Sequence, residues 1–155
     1  MENDMELKPL MTMHADLKEP VAVGDGPQGT RTIYDVTGGY FEGERLKGEV
    51  LASGGDWITV DSDGVGHLDV RATFVTDDGA HIYVQYYGAL IFNEKIAAAL
   101  ESGQPAEFGD THFVTQPRFE TGDDRYRWLN SVVAVAEGRV MGNAVEYRMF
   151  EATAG

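Results

Sequence analysis

Four charged residues, each set beside aromatic or glycine-rich sequence, carry the chemistry this chain can offer. In GGDWITV, Gly54–Val60, Asp56 follows a two-glycine turn and precedes Trp57. An acid there is either a turn-capping carboxylate or a pocket acid. In the second case an apolar wall raises its pKa until it delivers protons near neutral pH. In the segment from His67, alternation places His67, Asp69, Arg71 and Thr73 on one face and Leu68, Val70, Ala72 and Phe74 on the other. The polar face meets water in an ordinary half-buried sheet, but lines the lumen in a barrel wide enough to hold a ligand. The chain alone leaves both readings open. In TQPRFETGDDRYRWLN, Thr115–Asn130, Arg118 stands among Phe119, Tyr126 and Trp128. Its planar fork either receives a carboxylate or locks the loop by pairing with Glu120 or Asp56. Arg125 and Arg127 follow the turn-like GDD and are expected in water.

Short period-two segments rich in Val, Ile, Thr and Tyr must position these groups. They run near Leu10–Leu17, Thr30–Thr37, Leu46–Ala52, Trp57–Asp61, His67–Thr76, Ala80–Phe92, Thr111–Glu120, Ser131–Arg139 and Ala144–Glu151. Turns fall at Gly54-Gly55, Asp63-Gly64, Asp78-Gly79 and Gly142-Asn143, where glycine reaches positive φ. The strand IYVQYYG presents Tyr83, Gln85 and Tyr87 on one face and Ile82, Val84 and Tyr86 on the other. Such tyrosines suit a packed core, and equally a pocket for an aromatic substrate. NEKIAAALESG has an Asn cap and a terminal glycine, predicting one helix over Asn93–Ser102. A shorter helical turn is expected at Asp123–Trp128. This pattern predicts an all-β fold, an antiparallel meander of about eight or nine strands that closes as a barrel or packs as a sandwich. Residues 1–9 read as a flexible tail, 10–155 as one domain, and Glu19–Gly29 as a long loop.

Composition removes several function classes. The net charge of −14, from 26 acidic and 12 basic residues, argues against nucleic acid and anionic membrane surfaces, because phosphate binding needs a basic footprint. No cysteine is present, which excludes disulfides, thiolate catalysis and cysteine metal sites. The acidic start, MENDMELKPL, is not a signal peptide, and no window approaches ~18 apolar residues, so a cytoplasmic protein is expected. GDGPQG, Gly24–Gly29, matches the dinucleotide fingerprint in letters only, since Pro27 interrupts it and a strand follows. DSDG, Asp61–Gly64, lacks the closing glutamate of a calcium loop, with Ala72 in that place. His67 and Asp69 share a face and could gain a third ligand from His14, His81 or His112, but a solvated edge is the commoner outcome. No metal and no cofactor are expected.

GGYFEG (Gly38–Gly43), GGDW, LDVRATFVTDDGAHIYVQYYG (Leu68–Gly88) and PRFETGDDRYRWLN together resemble the family called domain of unknown function 3237, from about Leu7 to Glu151. The resemblance implies a compact antiparallel β-barrel, often a homo-oligomer, with some members associated with cofactor-independent chemistry on aromatic or phenolic acids. The family pattern falls on Asp56, Trp57, Asp69, Arg71, Gly88, Arg118, Phe119, Glu120, Thr121, Tyr126, Trp128, Leu129 and Asn130. Residue types then suggest roles. Arg71 or Arg118 holds a substrate carboxylate, Asp56 or Asp69 is the general acid or base, and Tyr87 orients a phenolic oxygen. Trp57, Glu120, Tyr126, Trp128 and Asn130 complete the substrate contacts. The expected activity is that of a lyase or isomerase on a small phenolic carboxylic acid, with decarboxylation favoured. A non-catalytic binding barrel and a cyclase that shapes a reactive hydrophobic substrate are the competing expectations.

Overall fold

The computed structural model describes residues 4–155. Ten strands form one antiparallel sheet: β1 (Glu6–Leu17), β2 (Val21–Gly26), β3 (Gly29–Glu42), β4 (Lys47–Val50), β5 (Gly55–Val60), β6 (Val65–Thr76), β7 (His81–Ile91), β8 (Phe113–Glu120), β9 (Val133–Met141) and β10 (Ala144–Thr153). Following the hydrogen bonds gives the order β1-β10-β9-β8-β7-β6-β4-β3, and β1 pairs with β3 to close the ring. The short strands β4 and β5 occupy one place between β3 and β6: β4 pairs with Tyr40–Glu42, and β5 with Thr30–Asp35. The result is a closed barrel of eight strand positions with two additional strands. No helix among the described residues is long and apolar enough to cross a membrane.

The helix α1 (Glu94–Ser102) forms where its capping chemistry predicts. The Asn93 side chain accepts from the Ile96 amide at 3.0 Å, and Gly103 at φ 74° returns its N–H to Ala99. Ile96 and Ala99 face the barrel, so α1 lies across the end at which β7 finishes and β8 begins. A 3₁₀ helix, Asp124–Ser131, closes the opposite end and runs longer than the turn expected at Asp123–Trp128. The two ends are called the mouth and the floor below.

The alternation along β6 resolves the open question of its two faces. Leu68, Val70, Ala72 and Phe74 are buried inside, whereas His67 and Arg71 are exposed outside and Asp69 and Thr73 are partly covered there. His67 pairs with Asp61 at 2.8 Å, and among the described residues no three His, Asp or Glu side chains converge as a metal site would require.

Two segments differ from the sequence reading. Glu19–Gly29 holds β2 and a two-residue Pro27-Gln28 turn rather than a loop, because β2 continues the line of β1 along β3 after a break at Lys18–Pro20. Its valines alternate too briefly, among glycines, to register as a strand. Of the segment read as a tail, residues 1–3 lie outside the described residues, and Glu6–Pro9 belong to β1, paired with Phe150–Thr153. The partner strand recruits them although their own sequence is polar.

Ring closure also explains why β3 runs through Gly38-Gly39 to Glu42 instead of ending at Thr37. Gly39 has φ 141°, and a Cβ there would collide with the His14 carbonyl of β1. Gly39→Ala should therefore cost on the order of 3 kcal/mol or prevent folding. Gly122→Ala, at a site with nothing nearby, should stay within about 0.5 kcal/mol of the wild type. Urea denaturation of the two variants measures the contrast.

Candidate active site in the barrel lumen

Inward-facing side chains leave a narrow cavity of about 80 Å³ that opens at the mouth. Its wall is apolar, with Val36, Ile58, Leu68, Val70, Leu90 and Phe113 in the strands, and Phe92, Ile96 and Leu100 under α1. Phe92 and Leu100 are also partly open to solvent, which places them at the entrance. The polar side chains in this lining are one carboxyl and three phenols: Asp56, Tyr34, Tyr86 and Tyr147.

Sheet register assembles this group. Tyr34 pairs with Asp56 across β3 and β5, Asp56 with Val70 across β5 and β6, and Val70 with Tyr86 across β6 and β7. One cross-strand row thus carries a phenol beside the carboxyl, then an apolar spacer, then a second phenol. Neighbouring strands lie ~4.8 Å apart, so the Asp56 and Tyr86 backbones are separated by roughly 10 Å. Tyr147 enters from β10 and meets Tyr86 edge to face, with ring centroids 5.1 Å apart.

Asp56 is held by one backbone contact. The Asp69 amide donates to its Oδ1 at 3.1 Å. Between the pairs Asp56–Val70 and Thr59–His67 the Trp57 carbonyl accepts from the Arg31 guanidinium at 2.6 Å. Burial in the apolar lumen pushes the Asp56 carboxyl up to about 7. The Asp69 charge adds to the rise, and the Asp69 amide opposes it. Burial and the Asp56 charge together raise the Tyr34 phenol. Tyr86 and Tyr147 are raised first by burial, so both stay neutral donors at neutral pH. Asp56 is therefore the one lining group whose protonation changes near pH 7.

The remaining residues singled out in the sequence are dispersed. Trp57 and Tyr87 lie on the outer surface, 39% and 48% exposed, and Arg71, Arg118 and Glu120 are exposed there too. Strand parity accounts for this: Pro117 and Phe119 face inward, so Arg118 and Glu120 cannot. No arginine reaches the lumen to hold a substrate carboxylate. Asp69 sits behind the wall from Asp56. Tyr126, Trp128 and Asn130 build the floor. The Tyr126 hydroxyl donates to the Asp78 carboxylate at 2.9 Å, Trp128 packs under the Arg45 guanidinium at 3.8 Å, and Asn130 bonds both the amide and the carbonyl of Thr121. Arg125 and Arg127 are exposed and pair with Asp123 and Asp124.

Sequence reasoning missed Tyr34, Tyr86 and Tyr147 as site residues. The signal was parity. Tyr86 alternates with Ile82 and Val84, and Tyr147 with Val145 and Met149, so each shares the face of its strand's apolar residues.

A family model described as Protein of unknown function (DUF3237) matches residues 5–152. A UPF0311 protein of Rhodopseudomonas palustris is 33% identical over 125 residues, spanning 81% of this chain and 82% of that protein. Among solved structures, a β-barrel-like protein from Acinetobacter baumannii AYE is 34% identical with a TM-score of 0.82, covering 97% of each chain. A conserved protein of unknown function from Rhodopseudomonas palustris is 29% identical with a TM-score of 0.89, covering 97% of this chain and 99% of that one.

The raised Asp56 pKa has a consequence for stability. The folded state keeps this proton up to about pH 7, whereas the unfolded chain releases it near the ordinary value of 3.8. Between these values the folded state binds more protons, so the contribution is full below about pH 4 and is lost as pH rises through 7. Asp56→Asn, neutral throughout, should gain on the wild type over that window by on the order of 1–3 kcal/mol and hold a constant lead above it. Urea denaturation of both proteins at pH 4, 5.5, 7 and 8.5 measures the difference.

Proposed function

Because the chain belongs to a family of unknown function, DUF3237, we propose its activity from the lumen: a cofactor-independent acid–base enzyme that isomerises or cyclises a neutral, largely apolar molecule bearing a hydroxyl group. The observation that carries this reading is Asp56, a carboxyl poised near pH 7 in an apolar cavity beside three phenols. A general acid works best when its pKa lies near the working pH, because it is then both protonated and willing to give the proton up. With Oδ1 engaged by the Asp69 amide, Oδ2 is the oxygen free to carry the proton into the lumen.

The phenols supply orientation. Tyr86 and Tyr147 remain protonated and can donate to a substrate oxygen, and Tyr34 stands directly beside the acid. Asp56 delivers its proton to a substrate carbon, and the resulting carboxylate then takes one back, from an adjacent carbon in an isomerisation or from the substrate's own attacking hydroxyl in a ring closure, so the acid is restored with no net change in atoms. The apolar walls hold the chain folded and exclude water from the charged stage of the reaction.

Decarboxylation of a phenolic acid uses the same proton delivery, but its substrate is an anion at neutral pH. The lumen lining has no guanidinium or ammonium to receive that anion, and an ionised Asp56 would repel it. A neutral substrate avoids both costs, so the geometry favours isomerase or cyclase chemistry over the lyase that the family resemblance suggests.

The test is proton transfer itself. Neutral hydroxylated aromatic and polyene compounds, and their carboxylated counterparts, are incubated with the protein in deuterium oxide and followed by NMR for deuterium entering a carbon position. The neutral set should exchange or rearrange. Asp56→Asn should slow this by about 10²–10⁴-fold while retaining ligand binding. Arg118→Ala, altered on the outer surface, should leave the rate within about twofold. Unchanged turnover in Asp56→Asn would remove the acid from the mechanism, and binding without exchange across the set would make the barrel a carrier.

A further inference from the structure

Among the described residues, two buried side-chain polar atoms lack a hydrogen-bond partner, Asp69 Oδ1 and Thr115 Oγ1. An unpaired carboxylate oxygen is the costlier of the two, and a fold that retains one calls for a reason. Asp69 lies on the outer side of the barrel wall, directly behind the lumen. Its cross-strand neighbour on β7 is Tyr87, and the register of β5 and β6 sets Trp57 opposite it on the other side. Both of these neighbours are exposed on the outer surface. Its own amide reaches through the wall to Asp56 Oδ1 at 3.1 Å.

We propose that Asp69 is a positioning residue for Asp56: its amide fixes one oxygen of the lumen carboxyl, and its unpaired carboxylate sets a like charge directly behind that carboxyl. The two groups divide the work. Geometry comes from a backbone donor, which cannot rotate away, and charge comes from a side chain that never enters the substrate's space. A like charge close behind the wall disfavours ionisation of Asp56, and it does so without adding a polar group to the lumen.

The groups facing this pair define what else could act on it. On the lumen side they are Tyr34 from β3, Tyr86 from β7 and Tyr147 from β10, all raised and neutral. On the outer side Arg31 of β3 is engaged by the Trp57 carbonyl, and His67 of β6 by Asp61. Tyr87 of β7 accepts from Gln85. Arg71 shares the outer face of β6 two residues away, and Asp35 of β3 pairs with Gly55 beside Asp56. None of these groups donates to Asp69 Oδ1.

The catalytic meaning of this role rests on Asp56 being the reactive acid, but its test does not require turnover. Protein labelled with ¹³C at the aspartate carboxyls is titrated by NMR, with the Asp56 resonance assigned from its loss in Asp56→Asn. Asp69→Asn keeps the shape and the amide but removes the charge. It should lower the Asp56 midpoint by about 0.5–1 pH unit or more, whereas Asp69→Glu keeps it raised. Where turnover is measured, the falling limb of the pH–rate profile should move down by the same amount in Asp69→Asn. A midpoint within about 0.2 unit of the wild type in folded Asp69→Asn would overturn the proposal. So would a midpoint that falls in Asp69→Glu, where the charge is retained, a result that does not depend on Asp69→Asn folding. A changed melting temperature with an unmoved midpoint would make Asp69 a structural residue only. Inactivity of the protein on every compound would count against the proposed function and leave the titration result intact.

Discussion

Pairing of β1 with β3 is the contact on which the rest of the structure depends. Once the sheet is closed it has an inside and an outside, and every residue on every strand is assigned to one of them by its parity. A shift of one residue in any strand would turn its whole inner set outward. The close crossing at Gly39 keeps that pairing in register, and the row Tyr34–Asp56–Val70–Tyr86 is its direct product. Four residues from four strands face one cavity because one closure is correct.

Within that frame a single carboxyl acquires unusual chemistry from ordinary surroundings. Asp56 needs no special partner to become an acid near neutrality. Removal from water is the main cause; the Asp69 amide opposes the rise and the Asp69 charge adds to it. The three phenols remain neutral for the same reason that Asp56 does. The lumen therefore presents hydrogen-bond donors at neutral pH and carries no fixed charge below the Asp56 midpoint.

Much of the fold was legible in the sequence, because period-two alternation and glycine turns are local signals. The helix was legible too, since Asn93 and Gly103 mark its ends by chemistry that does not depend on the rest of the chain. The β2 strand was not legible, because Val21–Gly26 is held by pairing with β3 rather than by its own propensity. Asp56 was singled out as an acid beside apolar sequence at a strand start, and it lines the lumen. Arg71, Arg118 and Tyr87 were drawn into the same site because residue type was weighed without parity. Their neighbours Val70, Pro117 and Tyr86 are buried, and alternation then sends these three outward. The inner tyrosines look like core when strands are read one at a time. Only the register shows that they converge on an acid.

The two ends of the barrel are built from different materials. The floor is a mesh of caps and ion pairs, with Asp123, Arg125, Asp78 and Tyr126 tied together and Arg45 joining Trp128 to Glu151. The mouth is lined by the apolar side chains Phe92, Ile96 and Leu100 of the segment that carries α1, which Asn93 and Lys95 tie to Asp110. Directional bonds tolerate few replacements, whereas apolar contacts accept many residues of similar size. Substitution can therefore remodel the entrance, and with it the range of molecules admitted, while the far end preserves the shape of the barrel.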